Sequence, residues 1–466
     1  MKEQYTGRES LKKLYIRITN ILHLAILAMF FMNIWLTHMN AYMEQQFLNK
    51  GNILVLVVYV ILLAAFFKVW GGFLIMRSKL VNLVISQILA ILCANVLEYL
   101  QIVLMVGNIS YIVSIAVQML KVVIFDVIIS VLLDYIFVNI SIRLFPPYRV
   151  LQINGQYKNH LSQKIKARDD KYKICEEISV FDDKNKIFDK ISCYDVVLLN
   201  DIPSENKNEI LKFCFNHSIR VYFTPKISDI IVQGTSTLNI FDSPLFVCKN
   251  IGLTAEQKFI KRLMDVILSL IGIIITSPIM IVTAVCIKMH DGGPVLFKQK
   301  RCTYMGKEFW IYKFRSMIVD AEKEGVSRPA TDGDDRITSV GRVIRKTRID
   351  ELQQLFNILK GDMSIVGPRP ERVEHIEKYT AEIPEFSYRF KVKGGLTGYA
   401  QVYGKYNTTA YDKLKMDMLY IVNYSLLLDL QIIMETVKII FQKESTEGFS
   451  EEQFNKIYQG KGEKDI

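Results

Sequence analysis

Five stretches of this chain are apolar for about as long as the hydrocarbon core of a bilayer is thick, which restricts where they can lie before any other feature is read. Four fill the first third, at about 18–36, 52–75, 80–106 and 110–142, each near the ~20 residues that a spanning helix needs. Lipid offers no water to backbone N–H and C=O groups, so such stretches cross it as helices. Charge orients them. Lys2, Arg8, Lys12, Lys13 and Arg17 precede the first, Arg77 and Lys79 lie between the second and third, and Arg143 and Arg149 follow the fourth. The links "THMNAYMEQQFLNK" and "VGNIS" carry almost no positive charge, so the positive-inside rule puts both ends of a four-helix transmembrane bundle in the cytoplasm. The first run is longer than a signal-peptide core and no small-residue cleavage site follows it, so it reads as an anchor. Lys121, Asp126 and Asp134 lie inside the fourth run and are expected to pair within the bundle or reach the interface.

The fifth stretch, "SLIGIIITSPIMIVTAVCI" at 269–287, carries Ser277-Pro278 at its middle. Proline removes one helical hydrogen bond and crowds the preceding turn, while a serine hydroxyl can satisfy a freed backbone group at membrane depth. "KFIKRLMD" precedes the run, and Lys288, Lys298, Lys300 and Arg301 follow it, so neither end reads as translocated. A re-entrant helix over 262–289, broken at Ser277 and Pro278, is therefore expected to dip into one leaflet and return. A kinked spanning helix would instead carry the rest of the chain to the far side, away from cytosolic activated precursors.

Residues 147–252 change rhythm. "RVLQIN", "KICEEISV", "DVVLLN" and "RVYFTP" read as strands and "SENKNEILKFCFNH" as a helix, the alternation of a small α/β domain. It resembles a Rossmann-like unit, but the turn after its first strand, "INGQYKNH", lacks the G-x-G-x-x-G that brings backbone against a pyrophosphate. A degenerate Rossmann-like domain with a structural or regulatory role is expected. The domains are then 1–146, 147–252 and 253–466. Half of the 466 residues are hydrophobic and the net charge is +11; anionic lipid and phosphorylated substrates account for that charge without nucleic acid. Seven cysteines form no C-x-x-C pair, so they read as reduced thiols and not as a zinc site or a disulfide framework.

The informative motifs lie in the last 200 residues. "DGGP" at 291–294 makes a tight turn before an alternating basic and aromatic stretch suited to the headgroup level. Then comes "RITSVGRVIRKTRIDELQQLFNILKGDMSIVGPRPER". Thr347 and Asp350 have capping-box spacing, and Leu352, Leu355, Phe356 and Leu359 repeat at helical spacing. This predicts a helix whose first turn holds Asp350 and Glu351, where the macrodipole favours carboxylates and phosphate alike. Arg336, Arg342, Arg345 and Arg348 surround them, and Arg369 sits between two prolines, where it loses little backbone entropy on gripping a phosphate. Adjacent side chains on an ideal helix point about 100° apart, so both carboxylates can serve one centre only on a terminal, non-ideal turn.

Taken together, "KRLMDVILSLIGIIITSPIM", "GGPVLFKQKR", "YKFRSM", "DDRITSVGRVIRKTRIDELQQLFNILKGDMSIVGPRPER" and "GGLTGYAQVYG" resemble the bacterial sugar transferase family, the monotopic phosphoglycosyl transferases, over about 256–445. The four-helix head and the insert look like its long, hexose-1-phosphate-transferring subtype. The resemblance implies a membrane α/β protein with a mostly α catalytic domain on the cytoplasmic face of the bacterial inner membrane. It implies a UDP-sugar donor, undecaprenyl phosphate as acceptor, release of UMP, and an initiating step of exopolysaccharide, capsule or O-antigen assembly. Asp350 would attack the sugar-proximal phosphorus, Glu351 would assist through Mg2+, Arg369 would hold phosphate, and Asp417 matches an aspartate near the site. A homodimer through the membrane and insert domains is expected. Two rival classes remain: a conventional glycosyltransferase using Asp332 to Asp334 as a D-x-D motif, and an inactive scaffold. Retention of Asp350, Glu351 and Arg369 speaks against the scaffold.

Overall fold

The computed structural model describes residues 2–156, 161–248, 252–319, 321, 334–404 and 408–440. The chain divides into two compact units, Met1–Pro225 and Lys226–Ile466.

The first unit opens with helices α1 (Lys2–Ile34), α2 (Asn49–Trp70), α3 (Leu80–Val106) and α4 (Ile112–Leu144). Their outward faces carry residues such as Leu104 and Ile128, which are 81 % and 64 % exposed; faces like these suit lipid, not water. Their polar groups point inward. The Tyr59 hydroxyl donates to Asp126 Oδ2 at 2.6 Å, Gln87 Nε2 donates to Asp134 Oδ1 at 3.1 Å, and His23 meets Ser130 at 2.8 Å. Lys121 faces outward and donates to Gln118 on its own helix. The two aspartates thus pair between helices, as intrahelical charges in an apolar run must.

Behind these helices a parallel sheet of order β2-β1-β3-β4 is built from β1 (Tyr148–Asn154), β2 (Tyr172–Ser179), β3 (Val196–Asn200) and β4 (Arg220–Phe223). The crossovers carry α5 (Leu161–Lys166), α6 (Lys184–Ile191) and α7 (Ser204–Asn216). All four expected strands and the expected helix are present. Every residue of β3, "VVLLN", is buried, because a central parallel strand is covered on both faces. Leu151, Ile153, Val197 and Leu199 pack one face against Ile187 and Ile210.

The second unit contains α8 (Ile227–Gln233), a hairpin of β5 (Ser236–Ile240) and β6 (Ser243–Val247), and the long α9 (Ala255–Asp291). A second hairpin follows, β7 (Leu296–Cys302) and β8 (Glu308–Phe314), then α10 (Ser339–Lys346), α11 (Gln354–Lys360) and β9 (Ser364–Val366). The unit closes with α12 (Val373–Glu382), a 3-10 segment Pro384–Lys391, β10 (Gly395–Thr397), α13 (Tyr399–Tyr403), α14 (Ala410–Val422) and α15 (Leu426–Ile440). One core gathers most of these elements, the exposed β5–β6 hairpin excepted, with Met280, Phe314, Ile358, Val366, Leu414 and Ile432 among its buried members.

Among the described residues five helical stretches are long and apolar enough to cross a membrane: Arg8–Tyr42, Asn49–Trp70, Leu80–Val106, Ile109–Leu144 and Ala255–Asp291. The last, α9, is helical through Pro278, so the interruption expected at Ser277 and Pro278 is not a gap in the helix. The physical reason is local: Pro278 cannot donate to the carbonyl four residues back, that of Ile274, and the Ser277 hydroxyl donates to that same carbonyl at 2.9 Å. Both arms of α9 are fastened to the core of this unit. Near its start Arg262 donates to the Ile358 and Leu359 carbonyls at 2.6 and 2.7 Å, and Lys261 pairs with Asp429 at 2.6 Å. Near its end Asp291 pairs with Arg315, and Met280 and Ile287 are buried in the same cluster as Ile358.

Candidate active site

The carboxylate pair is placed by two local decisions of the chain. Thr338 caps α10 by accepting from Gly341 N–H at 2.9 Å, and α10 ends at Lys346, two residues before Arg348, whose φ of 59° is left-handed. That turn redirects the backbone into a single 3-10 turn, Ile349–Glu351, before α11 begins at Gln354. The expected capping box does not form: Thr347 Oγ1 donates back to the Val343 carbonyl at 2.9 Å, so its hydroxyl finishes α10 instead of starting the next helix. The pair therefore sits on the terminal, non-ideal turn that two carboxylates serving one centre require.

Glu351 is buried and its charge is matched twice. Lys313 Nζ lies 2.6 Å and Arg369 Nη2 2.7 Å from the same Oε1. Burial alone would raise its pKa, but the Arg369 and Lys313 cations outweigh that and hold it well below the usual carboxylate range. Asp350 is treated differently. Its Oδ1 is buried with no hydrogen-bond partner among the described residues. Burial first, and then repulsion from Glu351, raise its pKa above the ordinary 3.8. Two adjacent acids are thus driven in opposite directions: one is locked as an anion and the other is left with an uncommitted oxygen.

Sequence reasoning did not single out Lys313, although a signal for it was there. Phe309, Ile311 and Lys313 alternate along β8, and the first two are buried; a lysine at an inward register position needs a counter-charge. The side chain of buried Asn357 docks α11 on this strand, accepting from Tyr312 N–H at 3.0 Å and donating to the Trp310 carbonyl at 2.7 Å. Arg369 arrives from the loop after β9. That loop stacks against the "GGLTG" segment so closely that a methyl group at Gly395 would collide with the Gly367 nitrogen, which is the physical reason for glycine there. At the other end of the unit, a side chain at Gly293 would collide with the Arg315 guanidinium, whose pairing with Asp291 closes the "DGGP" turn.

The remaining predicted residues are placed as follows. Arg345 and Arg348 are near enough to lower the Asp350 pKa, against burial. Arg342 is exposed on α10. Arg336 makes a two-pronged contact with Asp334 at 2.9 and 2.6 Å. Asp417 is buried on α14 and pairs with Arg389 at 2.8 Å. Asp332 and Gly333 of the possible D-x-D motif lie outside the described residues. The described residues form no cluster of three metal-ligating side chains. Both cations sit on Glu351 Oε1, and the rest of this ionised carboxylate fits a cation such as Mg2+, which takes one or two carboxylates and draws its other ligands from substrate phosphates and water.

The family described as bacterial sugar transferase matches residues 256–443, which run from α9 to the end of α15. The "UDP-N-acetylgalactosamine-undecaprenyl-phosphate N-acetylgalactosaminephosphotransferase" of Aeromonas hydrophila is 40 % identical over 53 % of this chain and 59 % of its own length. The "UDP-glucose:undecaprenyl-phosphate glucose-1-phosphate transferase" of Klebsiella pneumoniae is 42 % identical over 44 % of this chain and 43 % of its own. The chain thus spans about half the length of these two relatives. The "uncharacterized sugar transferase EpsL" of Bacillus subtilis strain 168 is 39 % identical over 40 % of this chain, and there the match takes in 89 % of the relative. A relative matched along nearly its whole length, together with a family match over residues 256–443, settles the kinship: the chain belongs to the bacterial sugar transferase family.

Proposed function

We propose that this protein transfers a sugar 1-phosphate from a UDP-sugar to undecaprenyl phosphate at the cytoplasmic face of the bacterial inner membrane, in two displacements at one phosphorus. The observation that carries this is the contrast within the pair: Glu351 is clamped by two cations, whereas Asp350 keeps a buried oxygen free. An Asp350 oxygen attacks the phosphorus next to the sugar, the bond to the bridging oxygen breaks, and UMP leaves with that electron pair. An oxygen of undecaprenyl phosphate then attacks the same phosphorus and releases Asp350 as carboxylate, giving undecaprenyl-diphospho-sugar. Arg369 and Lys313 stabilise phosphate charge as it shifts, with Arg345 and Arg348 adding to the field that draws the nucleotide in. Arg342 and Arg336 belong to the same basic surround. Mg2+ held by Glu351 and substrate oxygens would neutralise further charge on the diphosphate.

Membrane placement follows the same logic. We take α1 to α4 as a spanning bundle with cytoplasmic ends and α9 as a re-entrant helix. A straight helix of 37 residues would be about 55 Å long and would separate its ends across a core of ~30 Å. The fastening of both arms to one core favours entry and return from one side.

Relatives named for glucose, galactose and N-acetylgalactosamine transfer set the panel for the test. Membranes holding this protein are mixed with undecaprenyl phosphate and UDP-glucose, UDP-galactose or UDP-N-acetylgalactosamine. UMP release and a phosphosugar adduct on Asp350 are expected, with a hexose as the preferred sugar. Release of UDP would indicate a conventional glycosyltransferase, and no release a scaffold.

A further inference from the structure

Arg369 reaches Glu351 from a segment with little backbone anchorage of its own, because Pro368 and Pro370 have no N–H to donate. Its carbonyls are held instead, three in succession and each from a different element. Gly395 N–H donates to the Pro368 carbonyl at 2.9 Å. Arg389 Nη2 donates to the Arg369 carbonyl at 2.9 Å, and Arg301 Nη1 to the Pro370 carbonyl at 3.1 Å. The same Arg389 Nη2 donates to Asp417 Oδ2 at 2.8 Å, and the two side chains of that pair are only 5 % and 2 % exposed. Among the described residues Asp417 makes no hydrogen bond to Asp350 or Glu351. A buried ion pair recovers its desolvation cost poorly, and an apolar pair would fill the same volume between α14 and the 3-10 segment at least as well. What an apolar pair could not do is aim a guanidinium at a carbonyl.

We propose that Asp417, Arg389 and Arg301 are positioning residues: they fix the backbone on either side of Arg369 and so set where its guanidinium meets Glu351 and the substrate phosphate. This rests on the proposed transfer reaction for its catalytic consequence, but its structural half stands alone. Asp417 then acts at one remove from the chemistry, through Arg389.

The test uses the full-length protein in nanodiscs, with Asp417→Asn and, from a separate element, Arg301→Lys. Hydrogen–deuterium exchange is expected to rise about tenfold at the amides of Arg369, Glu371 and Arg372 while α11 stays as protected as before. With the sugar nucleotide that the panel selects, kcat/KM is expected to fall roughly ten- to hundredfold. In an Arg369→Ala background either substitution should cost less than about threefold, since a residue acting through Arg369 has nothing left to position. Unchanged exchange over 366–372, exchange rising equally through α11 and α14, or effects that multiply fully on Arg369→Ala would each overturn the proposal. If the unaltered protein releases no UMP from any donor, the transfer reaction falls and the exchange measurement still decides the positioning role. If Asp417→Asn does not fold, Arg301→Lys carries the same test.

Discussion

Buried carboxylates occur in both units, and the partners chosen for them differ in kind. In the first unit Asp126 and Asp134 take hydrogen bonds from neutral groups, the Tyr59 hydroxyl and the amides of Asn95 and Gln87. In the second, Glu351 takes its hydrogen bonds from two cations, with further arginines at 336, 342, 345 and 348 close by in sequence. Neutral donors fasten helices together without creating a field that reaches beyond them. Cationic donors leave a site that, once Glu351 is neutralised, still attracts anions. The same side-chain chemistry thus acts as a fastener in one place and, in the proposed reaction, as part of a phosphate site in the other.

The comparison can be broken most sharply at Asp350. Asp350→Asn should reduce UMP release by about 10⁴-fold or more while leaving the thermal midpoint unchanged or raised, because the carboxylate it removes is half-buried and its Oδ1 has no hydrogen-bond partner among the described residues. A variant with more than a tenth of normal activity would show that the free oxygen is not the nucleophile. Next in size is Glu351→Gln, which strands Lys313 and Arg369 opposite a neutral amide. It should cost about 3 kcal/mol of stability by denaturant titration, the low end for a broken buried pair, and at least about a hundredfold in kcat. If stability were untouched, the clamp would be no more than a surface pair.

Smaller effects sharpen the other side. Asp126→Asn keeps an acceptor for Tyr59 and should move stability by only about 1 kcal/mol and UMP release by less than about twofold. Loss of activity there would make the helices of the first unit more than a fastening. The smallest is a pH effect. Burial, only partly opposed by Arg389, pushes Asp417 up to about 6 from an ordinary 3.8. Between those values the folded protein keeps a proton that the unfolded chain gives up, so this group makes stability fall as pH rises through that window. Asp417→Asn should flatten the slope of unfolding free energy between pH 4 and pH 6; an unchanged slope would remove Asp417 as its source.

Much of this was legible in one dimension. Apolar length and basic flanks marked every helix long enough to cross a membrane, and the β-rich runs between 148 and 223 gave the strands of the parallel sheet, because both signals are local and periodic. The adjacency of Asp350 and Glu351 and the run of arginines before them were visible as well. The detailed turn was not: a capping box and a helix that ends just before an αL arginine differ only in which backbone group Thr347 finds, and both choices lie within hydrogen-bond reach. Whether Pro278 opens a gap in α9 was hidden for a similar reason, since that depends on whether Ser277 reaches the Ile274 carbonyl.

By itself the sequence determined where the chain is apolar, where it is basic and which two acids stand side by side, since these properties belong to residues and their near neighbours. Only the tertiary structure decided that Lys313 and Arg369, 38 and 18 residues away from Glu351, both meet its Oε1, that an Asp350 oxygen is buried without a hydrogen-bond partner among the described residues, and that Asp417 pairs with Arg389. Those outcomes depend on the packing of β8, α11, α14 and the loop after β9 in space, and a carboxylate's role is set by the charges packed around it, wherever in the chain they come from.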